Sequence, residues 1–369
     1  MIKVIHVFAL LDRGGAETFA MNLLRNCPKD IHMDFLVHSD KHMDYENEVL
    51  SLKSKIFRLP KYKFTNHFHY LNELDQFLVN NKYDVAHFHF RSTASIMIPI
   101  FKKHGIKVIV HSHSSSNGKA IIPKIGKSIL QFPLRYQADL KVGCTVESIK
   151  WLFGKKIYND NKYKILPNAV DVETFLNGLP GDDLELLNNE FVIGHIGRFE
   201  MVKNHVFIVE IFNEYLKVNP NAYLVLVGDG PLKSQIEDLV SELGINKNVL
   251  FLGKRSDIPY ILKKINVLLF PSIYEGLPVT LVETQAANVP ILMSNTISKE
   301  SIITPIAVQL GLSEKIETWV KELTNVSNLR LTGEEINTLI NGEFNIKNLS
   351  NNYKKIIYEL LGLESDVTS

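Results

Sequence analysis

Cysteine is almost missing from this sequence. Of 369 residues only Cys27 and Cys144 carry thiols. That is too few for a disulfide framework and lacks the spacing of a zinc site, so a reduced cytoplasmic setting is expected. No run of eighteen apolar residues occurs, so no membrane-spanning helix is expected. The opening M-I-K-V-I-H-V-F-A-L is too short and too interrupted for an export signal, and reads as a strand that begins a domain. G-x-G-x-x-G and G-x-x-x-x-G-K-[ST] are both missing, which removes support for a dinucleotide oxidoreductase and for a P-loop enzyme. Internal repeats and low-complexity tracts are missing too.

What remains is the composition of a soluble globular chain, 45% hydrophobic and 22% charged. The length exceeds one ordinary core, so two domains are expected. A net charge of +1 hides an asymmetry. Residues 1–168 hold 25 basic and 14 acidic residues, a balance of +11, whereas residues 169–369 hold 16 and 26, a balance of −10. A basic half suggests an anionic partner such as a membrane surface, a phosphorylated acceptor or nucleic acid. No nucleic-acid recognition motif accompanies the charge, so nucleic acid is not expected.

Apolar strand-like runs alternate with helical patterns, which means a parallel sheet wrapped by helices. Ile2–Ala9 leads to a helix over about Ala16–Arg25, and His32–His38, Val85–Phe88 and Lys107–Val110 are further strands. The alternation restarts after Asn168 with strands Phe191–Gly197, Ala222–Gly228, Val249–Leu252, Val267–Phe270 and Val289–Met293 and helices near 204–218, 231–243 and 279–288. The expectation is two doubly wound domains, residues 1–168 and 169–348, joined near Leu166–Phe175. A last amphipathic helix from Leu349, within 349–369, can pack back on the first domain. Leu176–Asn189 reads as an acidic loop or short helix, and residues 330–350 carry no strong pattern.

Five sites stand out. Glu275 and Glu283 lie eight residues apart in F-P-S-I-Y-E-G-L-P-V-T-L-V-E-T-Q-A, which follows the strand Val267–Phe270. The first falls on a tight loop and the second inside a helix whose first residue reads as Pro278. Free N–H groups of that helix face the same side, a place for a phosphate between two sugars, although two solvated acids fit the spacing equally. Gly14-Gly15-Ala16-Glu17 opens a helix after the first strand; it suits a close-approaching anion or a plain tight turn. Arg198 and Lys203, in I-G-R-F-E-M-V-K-N-H, offer a fork and a point charge to a diphosphate at a strand's carboxyl edge, where open α/β sheets bind ligands. His111-Ser-His113 and His87-Phe-His89 also end strands. A metal is not expected there, because no cysteine or acid lies in register; a contact to a sugar hydroxyl and a packed structural histidine are the alternatives. Lys119 to Arg135 interleaves cations with large apolar side chains, as in a segment lying on anionic lipid or a core-facing helix with a basic outer side. Two further strand ends carry less. L-V-G-D-G-P-L at 226–232 reads as a turn into a helix, and Gly253-Lys254 can present backbone amides to a nucleobase edge.

Taken in order, G-G-A-E, H-S-H, L-P-N-A-V-D, G-R-F-x-x-x-K-N and P-S-x-Y-E-G-L-P-x-x-L-V-E-T-Q-A resemble family 4 of the retaining glycosyltransferases, over residues 1 to about 292. The likeness is greatest to bacterial members that build capsular, exopolysaccharide or O-antigen units. It implies a GT-B fold: two doubly wound Rossmann-like domains facing a central cleft, the second binding the nucleotide-sugar. It further implies that Arg198 and Lys203 hold the diphosphate, that Glu283 binds the ribose and that Glu275 faces the donor sugar. Gly276 and Leu277 complete that cradle with backbone amides, Lys254 lies on the nucleotide side, and Gly14 and Gly15 close over the diphosphate. His113, or else His111, would bond the donor sugar near the reacting carbon. The implied substrates are a nucleotide-sugar, with UDP the expected nucleotide, and a lipid-linked or polysaccharide acceptor at the inner membrane face. No cofactor and no metal are expected, in keeping with the missing D-x-D motif. Past Met293 the family pattern fades, with Ser294-Asn295-Thr296 standing where many members have a second glycine-rich turn. A sugar-nucleotide epimerase of the same fold lacks this signature, and a non-catalytic partner subunit has little reason to keep Arg198, Lys203, Glu275 and Glu283 together.

Overall fold

The computed structural model describes residues 1–89, 93–113, 131–154, 163–181, 183–184, 187 and 190–364. Two compact units result: residues 1–169 together with 346–369, and residues 170–345. In the first, the strands are β1 (Ile2–Phe8), β2 (Ile31–Val37), β3 (Ile56–Arg58), β4 (Val85–Phe88), β5 (Lys107–Ser112), β6 (Leu140–Gly143) and β7 (Tyr163–Ile165). They form one sheet in the order β3-β2-β1-β4-β5-β6-β7, and every pairing is parallel. Parallel strands need crossovers, and the helices that supply them cover both faces, so a central strand such as β1 reads I-K-V-I-H-V-F with six of seven residues buried.

One face of this sheet is covered by the helices Gly15–Arg25 and Ile346–Leu361. The final helix buries Ile346, Leu349, Tyr353, Ile356 and Ile357, a 3.6-residue stripe against Leu23, Leu24 and Val4. Each such side chain contributes about 1.5–3 kcal/mol by leaving water. Polar contacts fix its register: Ser350 Oγ donates to the Asn26 carbonyl at 2.6 Å, Lys354 pairs with Asp30 at 2.9 Å, and the Tyr358 hydroxyl donates to Asp30. The opposite face is covered by helices His67–Asn80, Ala94–Lys103 and Val146–Phe153. Because the last helix starts at Ile346, the second unit ends at Asn345 rather than at 348.

The second unit has β8 (Val192–Ile196), β9 (Tyr223–Val227), β10 (Val249–Gly253), β11 (Val267–Phe270), β12 (Ile291–Ser294) and β13 (Ala307–Leu310), all parallel, in the order β10-β9-β8-β11-β12-β13. Helices His205–Tyr215, Lys233–Glu242 and Ile316–Val326 pack on one face around Trp319, Phe212 and Ile208. The stretch after 330 contains the helix Gly333–Asn341, started by a reciprocal capping box between Thr332 and Glu335. Pro278 caps the helix Val279–Ala286 from outside it, with ψ of 129°. Among the described residues no helix is long and apolar enough to cross a membrane.

The turns after β8 and β9 touch backbone to backbone. Gly197 N–H donates to the Val227 carbonyl at 2.9 Å and Phe199 N–H to Asp229 at 3.1 Å. Gly228 has φ of 137°, and a Cβ there would meet the Gly197 carbonyl oxygen at 2.1 Å. Gly228→Ala is therefore expected to lower stability by ~2–4 kcal/mol, through backbone strain and the clash together. Gly244 has φ of 71° but open space around it, so Gly244→Ala should cost only ~1 kcal/mol. Denaturant midpoints for the two variants measure the difference; equal midpoints would contradict the close approach.

Candidate active site

Both sheets reverse strand order once in their interior. In the first unit β1 has β2 on one side and β4 on the other; in the second, β8 stands between β9 and β11. At such a point the two crossovers leave in opposite directions and open a crevice outside the carboxyl ends, where ligands of doubly wound sheets bind. Gly14 and Gly15 follow β1 and His89 follows β4; Arg198 and Lys203 follow β8 and Glu275 follows β11. The marked residues of each unit thus gather at its own reversal point.

In the second unit the geometry is tight. Met201–Lys203 forms a 3-10 turn, and Asn204, in the left-handed conformation, starts the helix His205–Tyr215. The Asn204 side chain donates to the Pro271 carbonyl at 3.2 Å. Ile273 N–H donates to Val202 at 2.8 Å, so the loops after β8 and β11 are held together. Lys203 Nζ lies 2.6 Å from Glu275 Oε1 and 4.6 Å from the centre of the Phe270 ring. Arg198 is exposed and pairs with Glu200 at 3.1 Å. Glu283 is half-buried, the fifth residue of the helix Val279–Ala286. Gly276 and Leu277 precede that helix, and the Gly276 carbonyl accepts from Ser301 Oγ at 3.0 Å. Lys254 is exposed but leaves β10, two strands from the reversal point, hence about 10 Å from it at ordinary strand spacing.

Three supports escaped the sequence reading. The Ser272 carbonyl accepts from the hydroxyls of Ser294 and Thr296, the latter at 2.9 Å, so the segment after β12 braces the Glu275 loop. Fully buried Gln285 receives Ile303 N–H, Thr304 N–H and the Thr304 hydroxyl, at 2.9–3.0 Å, and pins the next turn. His195 and His205 lie beneath Lys203. Burial, with the Lys203 charge adding to it, pushes His205 down to about 4 and His195 well below the ordinary imidazole value. They are neutral, and leave Lys203 and Arg198 as the local cations.

In the first unit Gly14 caps the helix Gly15–Arg25, and a Cβ on it would meet Glu17 Oε2 at 2.5 Å. Burial, helped by Asp12, pushes the Glu17 carboxyl up to about 7. A half-protonated acid over the glycine loop repels an anion less than a carboxylate would. Beside it stands a cluster whose extent the sequence concealed: His6, His87, His89, His111 and His113. His111 is fully buried, with Nδ1 3.2 Å from His87 Nε2, whereas His113 is half-exposed at the strand end. Nitrogens of His6, His87 and His89, and of His89, His111 and His113, come within 4.8 Å of one another. Yet the rings are stacked, His111 on His113 at 3.8 Å and His87 on His89 at 4.2 Å.

Comparison with known proteins places this geometry in a family. Residues 13–174 match the family model "Glycosyltransferase Family 4", and residues 182–353 match "Glycosyl transferases group 1". The putative glycosyltransferase EpsF of Bacillus subtilis is 30% identical over 336 residues, covering 88% of each chain. The Escherichia coli UDP-Gal:alpha-D-GlcNAc-diphosphoundecaprenol alpha-1,3-galactosyltransferase is 29% identical over 236 residues, 61% of each chain. Among solved structures, Anabaena HepE in complex with UDP-glucose superposes with a TM-score of 0.78 at 14% identity, covering 97% of this chain and 100% of that one.

The buried imidazoles have a measurable consequence. Burial pushes His6 down to about 3 from 6.5 and holds His87, His89 and His111 well below that value. The unfolded chain protonates them near pH 6.5, while the folded chain does not. Their stabilising effect is therefore present above pH 6.5 and is lost as the pH falls below it. Each contributes a slope of about 1.4 kcal/mol per pH unit. Urea midpoints should drop between pH 7 and 5, and His6→Phe should make that drop shallower; an unchanged slope would argue against burial of that ring.

Proposed function

The chain belongs to glycosyltransferase family 4, and from that footing we propose that it moves a sugar from a UDP-sugar to a lipid-linked or polysaccharide acceptor, with retention of configuration and without a metal, in bacterial surface polysaccharide biosynthesis. The observation that carries the reading is the Lys203–Glu275 pair at the β8/β11 reversal point, with Arg198 at the same strand ends. Held against Phe270 and Glu275, the Lys203 ammonium has few rotamers to lose when a diphosphate arrives. Arg198, exposed, adds a planar fork for the same oxygens. As the bond from the anomeric carbon to the phosphate oxygen breaks, negative charge grows on the departing UDP, and these two cations stabilise it. The acceptor hydroxyl attacks from the face the UDP leaves, its proton passing to the departing phosphate oxygen. Glu275, released from Lys203 by the diphosphate, turns to hydroxyls of the donor sugar, and Glu283 takes the ribose. UDP is favoured because UDP-glucose lies in the HepE structure and UDP-Gal is named as donor of the E. coli relative. A lipid-linked acceptor is favoured by that relative's diphosphoundecaprenol substrate.

Lys203→Ala and Arg198→Ala are each expected to lower kcat/KM for transfer by about 10²–10³-fold, and Glu275→Ala to abolish it, with circular dichroism unchanged. UDP at 100 times its dissociation constant should stabilise the wild type by ~2.7 kcal/mol in a thermal-shift panel of nucleotides. Full turnover in all three variants would sink the assignment of the site.

Contact with an anionic membrane is part of the same reading. Most of the 119–135 segment lies outside the described residues, but Phe132 and Tyr136 at its end are exposed, and the Arg135 guanidinium lies 4.8 Å over the Phe132 ring. Phe64 and Phe68 are exposed as well, beside Lys61 and Lys63. Co-sedimentation with phosphatidylglycerol vesicles is expected, weakening several-fold from 0.05 to 0.5 M salt; equal binding to neutral vesicles would remove the electrostatic part.

A further inference from the structure

The loop that carries Glu275 is held by its own carbonyls. The Ser272 carbonyl accepts from the Ser294 and Thr296 hydroxyls, the Glu275 carbonyl from Ser298 N–H at 3.3 Å, and the Gly276 carbonyl from Ser301 Oγ at 3.0 Å. All three therefore point at one segment, residues 294–301. No peptide bond among the described residues is cis, and in a trans peptide the carbonyl and the next N–H point opposite ways. Ile273 shows the effect. Its N–H leaves the segment and reaches Val202, in the loop after β8 that bears Arg198 and Lys203. The N–H groups of Gly276 and Leu277 are turned away from the segment in the same manner. One side chain fixes the far end of this brace. Gln285, fully buried, receives Ile303 N–H, Thr304 N–H and the Thr304 hydroxyl on Oε1. Its Nε2 donates to the Leu281 and Ser301 carbonyls, each at 2.9 Å.

We infer that Ser301 and Gln285 are positioning residues for the donor site. Gln285 holds the turn that carries Ser301, and the Ser301 hydroxyl holds the Gly276–Leu277 peptide so that its carbonyl faces the interior and not the ligand. Gly276 has no side chain to pack that peptide in place, so the hydrogen bond to its carbonyl selects between the two faces. Ser301 is itself fully buried, which shields the bond from competing water. Without the hydroxyl the peptide can turn over. Its carbonyl oxygen, the negative end of the peptide dipole, would then point at a bound anion in place of the positive end. Gln285 acts one step further back. A buried amide is tolerated only while its partners stay in place, so its five hydrogen bonds make the 301–304 turn rigid. A loop fixed before the ligand arrives has less freedom to lose on binding. On the reading given above, the anion is the distal phosphate of a UDP-sugar, and the inference rests on that reading for this identity alone.

Nuclear magnetic resonance tests the anchor without activity. Labelling glutamate at the carbonyl carbon and glycine at nitrogen singles out Gly276, because Glu275-Gly276 is the one Glu-Gly pair in the sequence. Its amide signal should be single in the wild type and doubled or broadened in Ser301→Ala, with circular dichroism unchanged. By calorimetry, Ser301→Ala should bind UDP about tenfold more weakly, while UMP, which lacks the distal phosphate, should bind within about twofold of wild type. A general loosening of the unit would weaken both nucleotides alike. Gln285→Met, of similar length, should give the same doubled signal and the same split between UDP and UMP; if it does not fold, Ser301→Ala decides. A single, unshifted Gly276 signal in Ser301→Ala would overturn the anchor. A doubled signal with UDP affinity unchanged, or with UDP and UMP weakened together, would overturn the positioning role. A wild type that binds neither nucleotide would instead overturn the UDP reading, and the Gly276 signal would still decide the anchor.

Discussion

All strand pairings in both sheets are parallel, and this constraint governs the rest of the molecule. Parallel strands end on one edge, so every loop that leaves a carboxyl end is delivered to the same side. Where the order reverses, at β1/β4 and β8/β11, two such loops diverge and leave their backbone groups and side chains available. The glycine loop and the histidine rows in one unit, and the Lys203–Glu275 pair in the other, are consequences of that arrangement. The same constraint requires buried strands on both faces, which explains the near-continuous apolar runs of β1 and β11.

The two units solve opposite electrostatic problems. The second must hold the Lys203 cation at the end of a sheet. It does so by pairing Lys203 with Glu275, laying it on Phe270, and keeping His195 and His205 beneath it neutral. A charge held this way is both stabilised and aimed. The first unit must fill the space under its glycine loop with polar rings and no net charge. Stacking and hydrogen bonding among histidines accomplish that, since an imidazole satisfies a neighbour at each end while presenting an apolar face.

Much of this was legible in the sequence. Val85–Phe88 and Val267–Phe270 have the same bounds in both readings, because a buried parallel strand is an unbroken apolar run closed by turn residues. Glu275, Arg198 and Lys203 were found by their position at strand ends. β3, β6, β7 and β13 were missed: three or four residues near a sheet edge leave too short a pattern. His6 was invisible because within β1 it reads as one polar residue among six apolar or basic neighbours; its partners lie more than eighty residues away. Tyr353 is 266 residues from His87. The hydroxyls of Ser294 and Thr296 look like ordinary strand-end polarity until the Ser272 carbonyl is placed against them. The capping box at Thr332 and Glu335 could have located the helix after 330, which the weak apolar pattern hid.

The final helix gives the first unit an unusual order of assembly. Its core is built from residues 1–169 and closed by residues 346 onward, with the whole second unit translated in the interval. A ribosome therefore releases the second unit's residues while the first still lacks the side chains that cover Leu23, Leu24 and Val4 and the hydroxyl that reaches His87. Until then that face of the first sheet has only the helix Gly15–Arg25 over it and keeps apolar side chains exposed, a hazard for misassociation during synthesis. The nascent second unit, whose segments are contiguous, has no such wait. Completion of the second unit thus precedes completion of the half that bears the histidines, and the helix Ile346–Leu361 acts as the closing step for the first strands.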